Sequence, residues 1–414
     1  MFANQKLLII GTVWPEPESS AAGARMMQLM EFFQENKFKI TFACAASNLE
    51  FSEDLTKLGI NPVNIKVNDS GFDELLKFLK PDIVLFDRFM TEEQFGWRVT
   101  EHCPDALKIL DTEDLHCLRY ARHRALKKGN EFKLEDLYSD EARREIAAIY
   151  RCDISLIISK FEYELLRDFF NIYPEILHYL PFMFEELSED HLSDIPEFEE
   201  RQHFISIGNF LHEPNWDAVR FLKEDIWKLI KKELPDAELH IYGAYTSSKV
   251  TQLHNEQEGF LIKGRAISAE DVMKKARVLL APLRFGAGLK GKFTDAMKFG
   301  IPSVTTKIGV EGMNTNQRWG GEVAENAEMI AQKAVLLYLN KSRWVEAQKT
   351  GIQIFNQIFN KAEHGDDLRA KIDSVTKSLK DHRKRNFTGS ILLQNTLQSY
   401  KYMSKWIEEK NKNL

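Results

Sequence analysis

The sequence predicts an α/β protein with two doubly wound domains and a cleft between them. Three observations lead to this prediction. Short apolar strands alternate with helical stretches, the alternation starts again near residue 204, and an acidic stretch with few apolar residues lies between the two halves. Such alternation is typical of parallel sheets covered by helices on both faces. Because ligands bind at the carboxyl ends of these strands, the cleft is the expected active site.

The first half, residues 1–195, is expected to form the N-terminal domain. Its predicted strands are residues 6–11, 39–44, 81–86, 107–110 and 154–158. Residues 24–34 follow the first strand and are predicted to be a helix. Their apolar residues Met26, Met27, Leu29, Met30 and Phe33 recur at helical spacing.

The second half, residues 200–380, repeats the theme and is expected to form the C-terminal domain. Its predicted strands are residues 204–208, 238–242, 260–263, 278–281 and 303–306. Helices are predicted over residues 217–232 and 269–276. The linker is placed at residues 188–201, which contain Pro196. Within the last segment, 386–414, residues 391–407 are predicted to form a terminal helix that docks back on a domain.

Composition excludes several classes of function. The net charge of −6 gives no global basic field for nucleic acid. The four cysteines lack C-x-x-C spacing and indicate reduced thiols in a reducing compartment. No histidine pattern indicates a metal, no D-x-D triplet occurs, and no apolar run is long enough to span a bilayer. The short apolar stretch near the start leads into Gly11, so we do not expect it to be a signal peptide. We expect a cytoplasmic protein without a metal or other cofactor, able to rest at the inner face of a membrane.

The most informative segment is a glycine-rich loop between a predicted strand and a short helix. Residues 284–297 read RFGAGLKGKFTDAM, and Gly300 and Pro302 end the helix that they open. The start of a helix presents unpaired N–H groups, and the helix dipole adds positive potential there. Arg284, Lys290 and Lys292 add full charges. The loop therefore suits a diphosphate, although glycine-rich turns and solvated lysines are also common without a ligand.

Two motifs in the second half resemble a known family. Residues 204–219, FISIGNFLHEPNWDAV, look like the segment that opens the C-terminal domain of many GT-B glycosyltransferases. Residues 282–306, PLRFGAGLKGKFTDAMKFGIPSVTT, followed by GVEGM at 309–313, are similar to their nucleotide-sugar signature. Glycosyltransferase family 4, a retaining family, is the most similar group. The resemblance implies two facing Rossmann-like (GT-B) domains and metal-independent transfer of a sugar from a nucleotide diphosphate donor, with retention of configuration.

The resemblance also assigns roles to residues. The donor diphosphate would be held by five residues of the glycine-rich segment and two at the end of the strand 204–208: Arg284, Gly286, Gly288, Lys290, Lys292, Gly208 and Asn209. Asp295 would bind the ribose, and Glu311 would contact the donor. The loop with Ser20, Gly23 and Arg25 would lie on the acceptor side. The loop from Asp111 to His116 would face the transferred sugar, so Glu113, Asp114 and His116 are the catalytic candidates.

Two departures from the family pattern leave alternatives open. Many members have two glutamates eight positions apart, where this chain has Ala287 and Asp295. Many also have a His-Asp pair where this chain has Glu113 and Asp114, so either Glu113 or His116 does that work or the site is weakened. The alternatives are a sugar-nucleotide epimerase and a non-catalytic pseudoenzyme that binds a nucleotide sugar.

Three further features have competing interpretations. His212 and Asn215 follow a strand end, and local geometry favours Asn215 as the N-cap of the next helix. The basic run from Arg119 to Lys128 is either a solvated helix face or a contact with an anionic lipid-linked acceptor or a membrane. The cluster from Arg383 to Arg385 could serve likewise. The partners expected are therefore a nucleotide-sugar donor and a glycan or lipid-linked acceptor, and no nucleic acid.

Overall fold

A computed structural model describes residues 4–48, 50–314 and 318–394, together with Tyr402 and Trp406. The described chain folds around two sheets, one of seven strands and one of six, and the neighbouring strands within each sheet are parallel. The predicted fold class is confirmed.

The first sheet has the strand order β3-β2-β1-β4-β5-β6-β7. Its strands are β1 Lys6–Gly11, β2 Lys39–Cys44, β3 Asn61–Asn64, β4 Ile83–Asp87, β5 Leu107–Asp111, β6 Ile154–Ile157 and β7 Leu177–Tyr179. The helices of this half are α1 Ala21–Glu35, α2 Gly71–Leu79, α3 Arg88–His102, α4 His116–Lys127, α5 Asp140–Arg151 and α6 Lys160–Glu164. The edge strands β3 and β7 were not predicted. Strand β3 has no apolar pattern, since it is largely exposed and carries Pro62, which is tolerated at a sheet edge.

The second sheet has the strand order β10-β9-β8-β11-β12-β13. Its strands are β8 Gln202–Ile207, β9 Leu239–Tyr242, β10 Phe260–Gly264, β11 Ala276–Ala281, β12 Ser303–Thr305 and β13 Gly321–Val323. Its helices, after α7 Glu189–Ser193 in the linker, are α8 Glu213–Phe221, α9 Trp227–Glu233, α10 Ser248–Thr251, α11 Ala269–Lys275, α12 Gly291–Lys298, α13 Lys307–Val310, α14 Ala327–Leu339 and α15 Lys341–Ile358. A π-helical turn, Leu222–Ile226, interrupts the long helix predicted over 217–232.

The chain crosses between the halves twice at one place. Phe184 lies in the first crossing, and Phe359 and Lys361 lie in the second. The backbone of Phe184 accepts a hydrogen bond from Lys361 at 2.8 Å and donates one to Phe359 at 2.7 Å. After this second crossing come α16 Lys361–Lys377, α17 Leu379–Arg385 and α18 Phe387–Leu393. The two crossing segments therefore lie side by side and form the covalent connection between the sheets.

The last helices pack on the first domain. Leu368, Ile372 and Val375 of α16 are buried in a core cluster with β1 and α1. Arg383 of α17 forms a bidentate ion pair with the buried Asp153, both contacts at 2.8 Å, so it is not free for an anionic acceptor. Residues 361–380, predicted within the C-terminal domain, thus belong by packing to the N-terminal one. The predicted terminal helix 391–407 lies mostly outside the described residues.

Candidate functional site

The carboxyl ends of both sheets meet at a cleft, where loops of the two domains touch directly. Arg122 donates to the carbonyl of Gly286 at 2.9 Å and also pairs with Glu311. The N–H of Gly288 donates to Glu162 at 2.6 Å, and the Tyr245 hydroxyl donates to Glu16 at 2.8 and 2.9 Å. The rings of His123 and Phe285 stack with their centroids 4.2 Å apart. The predicted cleft therefore exists and is closed around the glycine-rich loop.

The glycine-rich loop, residues 284–290, runs from β11 to the start of α12. Lys290 is at the N-cap position but its side chain does not cap the helix, so the first N–H groups of α12 lack a side-chain acceptor from that residue. Gly286 and Gly288 have φ of 153° and 63°, which favour glycine. A side chain at Gly288 would also place its Cβ 2.8 Å from the Cβ of Asp114. Gly288 therefore permits the loop to approach the opposite domain closely.

Arg284 does not present a free charge to the cleft. Its guanidinium makes a two-pronged ion pair with Asp217 of α8, with Nε 2.8 Å from the carboxylate, and lies 4.7 Å over the ring of Phe221. The ion pair raises the pKa of Arg284. The predicted diphosphate role of Arg284 requires it to act together with Asp217 or to exchange partners.

Lys290 and Lys292 have different surroundings. The Lys290 ammonium is buried and donates to the carbonyl of Gly288 at 2.8 Å. Burial lowers the pKa of Lys290 to about 8, against the attraction of Glu311. The half-buried Lys292 donates to the side-chain oxygen of Asn215 at 2.8 Å, and burial lowers its pKa to about 7. Within the described chain the Lys292 ammonium bonds to a neutral amide, so Lys292 is the better placed cation for a diphosphate.

Gly208 provides the space that Lys292 occupies. A Cβ at Gly208 would lie 2.9 Å from the Lys292 ammonium nitrogen and 2.7 Å from the amide nitrogen of Asn215. The Asn215 amide also donates to the carbonyl of Asn209 at 3.0 Å. The predicted N-cap role of Asn215 is wrong: His212 takes the N-cap position, and Asn215 lies inside α8, where it joins the β8 loop to Lys292.

Asp295 lies one turn after Lys292 on α12, as their spacing predicts. Its half-buried carboxylate accepts no hydrogen bond among the residues that the structure describes. Burial raises the pKa of Asp295 to about 6. A desolvated carboxylate without a donor suits the recognition of hydroxyl groups.

The loop after β5 supplies the facing wall of the cleft. Asp114 accepts a hydrogen bond from Arg119 at 2.7 Å and lies 3.3 Å from the ring nitrogen Nε2 of His116. Burial favours a raised pKa for Asp114, but the charge of Arg119 holds it well below the usual range. Burial lowers the pKa of His116 to about 4, and its Nδ1 has no partner among the described residues. At neutral pH this wall presents an anionic Asp114 and a neutral His116.

Glu113 differs from both neighbours. It is buried with φ of 61°, in the left-handed region, and burial beside Asp111 raises the pKa of Glu113 well above its usual value. Arg88, at the end of the neighbouring strand β4, has φ of 66°. Two strained residues at adjacent strand ends are typical of a functional edge, since each such residue costs about 1 kcal/mol or more.

The predicted acceptor-side loop has local structural roles. Ser20 is the N-cap of α1 and accepts from the Gly23 N–H at 3.0 Å. A Cβ at Gly23 would lie 2.5 Å from the backbone of Glu16. Arg25 is fully buried and makes a bidentate ion pair with Asp111, with contacts from 2.9 to 3.2 Å. Arg25 thus holds the end of β5, from which the loop with Asp114 starts, through this buried ion pair.

The arginines of the basic run form ion pairs within the chain, and one of these pairs joins the two domains. Arg122, buried in α4, makes a two-pronged ion pair with Glu311 at 2.7 and 2.8 Å. Arg119 pairs with Asp114, and Arg124 pairs with Glu141 at 3.1 Å. The arginines of the run thus have acidic partners within the chain, and the expected membrane contact through residues 119–128 has no support. No helix in the described chain is both long and apolar enough to cross a membrane.

Ala287 explains one departure from the family pattern. It is half-buried and packs against the main apolar core cluster of the N-terminal domain. A glutamate there would bring a charge into that apolar contact. Sequence reasoning missed Glu162, Glu16 and Tyr245, because each acts across the cleft with a partner that is distant in the chain.

Two facing parallel-sheet domains of this kind are the fold of GT-B glycosyltransferase structures. Residues 201–340 match the family model described as Glycosyl transferases group 1. The resemblance predicted from the sequence is confirmed at this level, and the enzyme class is glycosyltransferase. None of the curated proteins matches the chain by sequence.

Solved structures share the fold across both domains. Sucrose-phosphate synthase from Thermosynechococcus elongatus is similar with a TM-score of 0.68 at 11% identity, over 91% of this chain and 100% of that one. HepE from Anabaena, solved with UDP and glucose, has a TM-score of 0.67 at 10% identity, over 90% and 100% of the two chains. TarM from S. aureus, in a mutant form solved with fondaparinux, alpha-GlcNAc-glycerol and UDP, has a TM-score of 0.68 at 10% identity, over 89% and 99%.

Proposed function

We propose that this glycosyltransferase transfers a sugar from a nucleoside diphosphate donor to a hydroxyl group of a glycan or lipid-linked acceptor, with retention of configuration and without a metal ion. The observation that carries the proposal is Lys292: a desolvated ammonium beside Gly208 and Asn215, at the first turn of α12 and one turn before Asp295. The cation and the helix N–H groups would thus face the diphosphate, and the carboxylate one turn later would face the ribose.

Chemistry at this site would depend on stabilising the leaving diphosphate. Negative charge develops on the leaving phosphate as the bond to the sugar breaks, and a fixed cation with helix N–H groups stabilises it most where water is excluded. Lys292 and the start of α12 would supply that charge. Membership of family 4, with retention, and the cytoplasmic location expected from composition are parts of the same proposal.

The wall across the cleft would hold the transferred sugar. Asp114 is anionic and His116 neutral at pH 7, so they can accept and exchange hydrogen bonds with sugar hydroxyls. The leaving phosphate can accept the proton of the acceptor hydroxyl, so a protein base is not required. Glu113 is the alternative contact from the same loop.

UDP is the first nucleotide to test, because HepE and TarM were both solved with it. A thermal-shift panel of UDP, GDP, ADP and their sugar derivatives, with and without EDTA, should show a rise in Tm for one base that EDTA does not remove. No shift with any nucleotide would favour the pseudoenzyme, and product formed from the donor without an acceptor would favour the epimerase. The anomeric configuration of the transfer product, read by NMR, tests retention.

Lys292→Ala tests the cation that carries the proposal. We expect turnover to fall by about a hundredfold or more, as for the loss of one charge-stabilising donor, with the fold retained. Lys298→Ala, on the same helix at its far end, is the matched control and should keep its turnover. Equal turnover in Lys292→Ala and the wild type would remove Lys292 from the site.

A further inference from the structure

Glu162 links the two domains through a single carboxylate oxygen. It lies on α6, directly after β6, and is fully buried. Its Oε1 accepts hydrogen bonds from the Leu115 N–H at 3.2 Å and from the Gly288 N–H at 2.6 Å. Leu115 precedes α4 and adjoins Asp114, and Gly288 is the centre of the glycine-rich loop, so one oxygen joins the two walls of the cleft.

Packing leaves little freedom around this link. The Cα and backbone of Gly288 lie so close to Asp114 that an added Cβ would be 2.8 Å from the Asp114 Cβ and 3.3 Å from the Glu113 carbonyl. A second glycine, Gly312, approaches Ser159 on the same β6–α6 corner, where its Cβ would be 2.4 Å from the Ser159 hydroxyl. The corner thus supports the C-terminal domain at two points.

The Gly288 N–H is not available to a phosphate in this arrangement. An N–H group donates one strong hydrogen bond, and this one is directed at Glu162 in a buried contact. The predicted phosphate role of Gly288 is therefore better assigned to Lys292 and the start of α12. Gly288 instead determines where those groups lie relative to Asp114.

The buried setting of Glu162 favours its uncharged form. Burial raises the pKa of Glu162 to about 8, Asp114 adds to the rise, and the two N–H donors and Lys290 oppose it. The other oxygen, Oε2, has no partner among the described residues. A neutral carboxyl and a carboxamide have nearly the same shape and both keep an acceptor oxygen, so glutamine is a close substitute at pH 7.

We propose that Glu162 is a positioning residue, which fixes the glycine-rich loop against the loop of Asp114 so that Lys292 keeps one position relative to Asp114 and His116. The inference rests on the proposed function, because it concerns the geometry of that transfer. A misplacement of about 1 Å at a reacting centre reduces rate by about a hundredfold, which is the scale on which such an anchor acts.

The test compares Glu162→Ala, Glu162→Gln and Glu92→Ala. Glu92 is another buried carboxylate of the same domain, paired with Arg151 away from the cleft, so its removal reports on lost stability alone. We expect Glu162→Ala to lower kcat by ten- to a hundredfold for the nucleotide sugar that the panel selects, with the Kd of UDP changed less than threefold. Glu162→Gln should stay within about threefold of the wild-type kcat, and Glu92→Ala should lower Tm but keep kcat.

Hydrogen exchange of the free protein gives an independent measurement. Amide exchange in peptides that cover residues 284–290 and 112–118 should accelerate in Glu162→Ala and stay slow in Glu162→Gln. Unchanged exchange in Glu162→Ala, or an equal loss of kcat in both Glu162 variants, would overturn the proposal. If the wild type binds no nucleotide but exchange still accelerates in Glu162→Ala, the proposed function fails while the anchor stands.

Discussion

Lys290 and Lys292 are two residues apart, and the fold places their ammonium groups in different surroundings. Lys290 folds back onto the carbonyl of Gly288 and is buried near Glu311 of its own domain and Glu162 of the other. Lys292 donates to Asn215 and lies close to Gly208, at the end of β8. The sequence suggests both as diphosphate ligands, and only Lys292 has the surroundings for it.

The charge of Lys292 should make donor binding depend on pH. Its pKa of about 7 means that the free ammonium loses its proton above neutrality, whereas a bound diphosphate favours the charged form. We expect affinity for the nucleotide sugar to be constant below pH 7 and to fall by up to about tenfold per pH unit above it. Calorimetry from pH 6 to 9 would measure this, with proton uptake detected in buffers of different ionisation enthalpy.

Two variants isolate the group responsible. Lys292→Arg stays charged throughout this range, so its affinity should not fall with pH. Lys290, with a pKa of about 8, titrates in the same window, so Lys290→Arg should leave the decline unchanged. A decline that disappears only in Lys290→Arg would assign the donor contact to Lys290 instead.

Asp295 is expected to recognise the ribose. Its carboxylate accepts no hydrogen bond within the described chain, and its pKa of about 6 leaves it ionised at pH 7.5. Hydrogen bonds to a charged group contribute about 1.5–3 kcal/mol, so Asp295→Ala should weaken UDP binding by at least tenfold. The same variant should bind dideoxy-UDP, which lacks both ribose hydroxyls, as well as the wild type does. Equal weakening with both ligands would place Asp295 away from the ribose.

At the scale of the element, glycines rather than charged residues determine the backbone conformation of the loop between β11 and α12. Gly288 combines φ of 63° with the close approach to Asp114, so Gly288→Ala would add backbone strain and a clash of Cβ atoms. We expect a lower Tm and a loss of turnover. Gly129→Ala is the matched control, since Gly129 has φ of 68° with no atom within 4 Å of its Cβ position.

The control should show backbone strain alone, about 1 kcal/mol, and full turnover. Thermal unfolding and steady-state kinetics on both variants separate the two effects. If Gly288→Ala lost no more than Gly129→Ala, the contact with Asp114 would have no role in the geometry of the cleft.

At the scale of the whole molecule, the ion pair of Arg122 and Glu311 holds the domains closed. Both groups are largely removed from water, and Arg122 also bonds to the carbonyl of Gly286. Loss of one member leaves the other charge buried without its partner, which strongly favours opening. We expect Arg122→Ala to increase the radius of gyration measured by small-angle X-ray scattering.

Arg124→Ala provides the control for this measurement. Arg124 lies on the same helix but pairs with Glu141 inside one domain, in an exposed contact that contributes little. Its scattering should match that of the wild type. An unchanged radius of gyration in Arg122→Ala would mean that Tyr245, Glu162 and the stacked rings keep the cleft closed without it.

The sequence by itself determined the fold class and the position of the glycine-rich loop between a strand and a helix. Both depend on local patterns: short apolar strands between helices, and a glycine-rich turn between a strand and a helix. The position of Asp295 one turn after Lys292 also follows from their spacing of three residues on α12. These features persist in any fold that places the strands in a parallel sheet, because they depend on backbone geometry and nearest neighbours.

Only the tertiary structure decided which charges are free. Arg284, Lys290 and Lys292 look equivalent in the sequence, yet Arg284 pairs with the distant Asp217 and Lys290 is buried against the carbonyl of Gly288. Arg122 and Glu311, far apart in the chain, pair with each other. The physical reason is that desolvation and ion pairing depend on three-dimensional distance. The role of Glu162, with partners 47 and 126 residues away, exists only where the two domains meet.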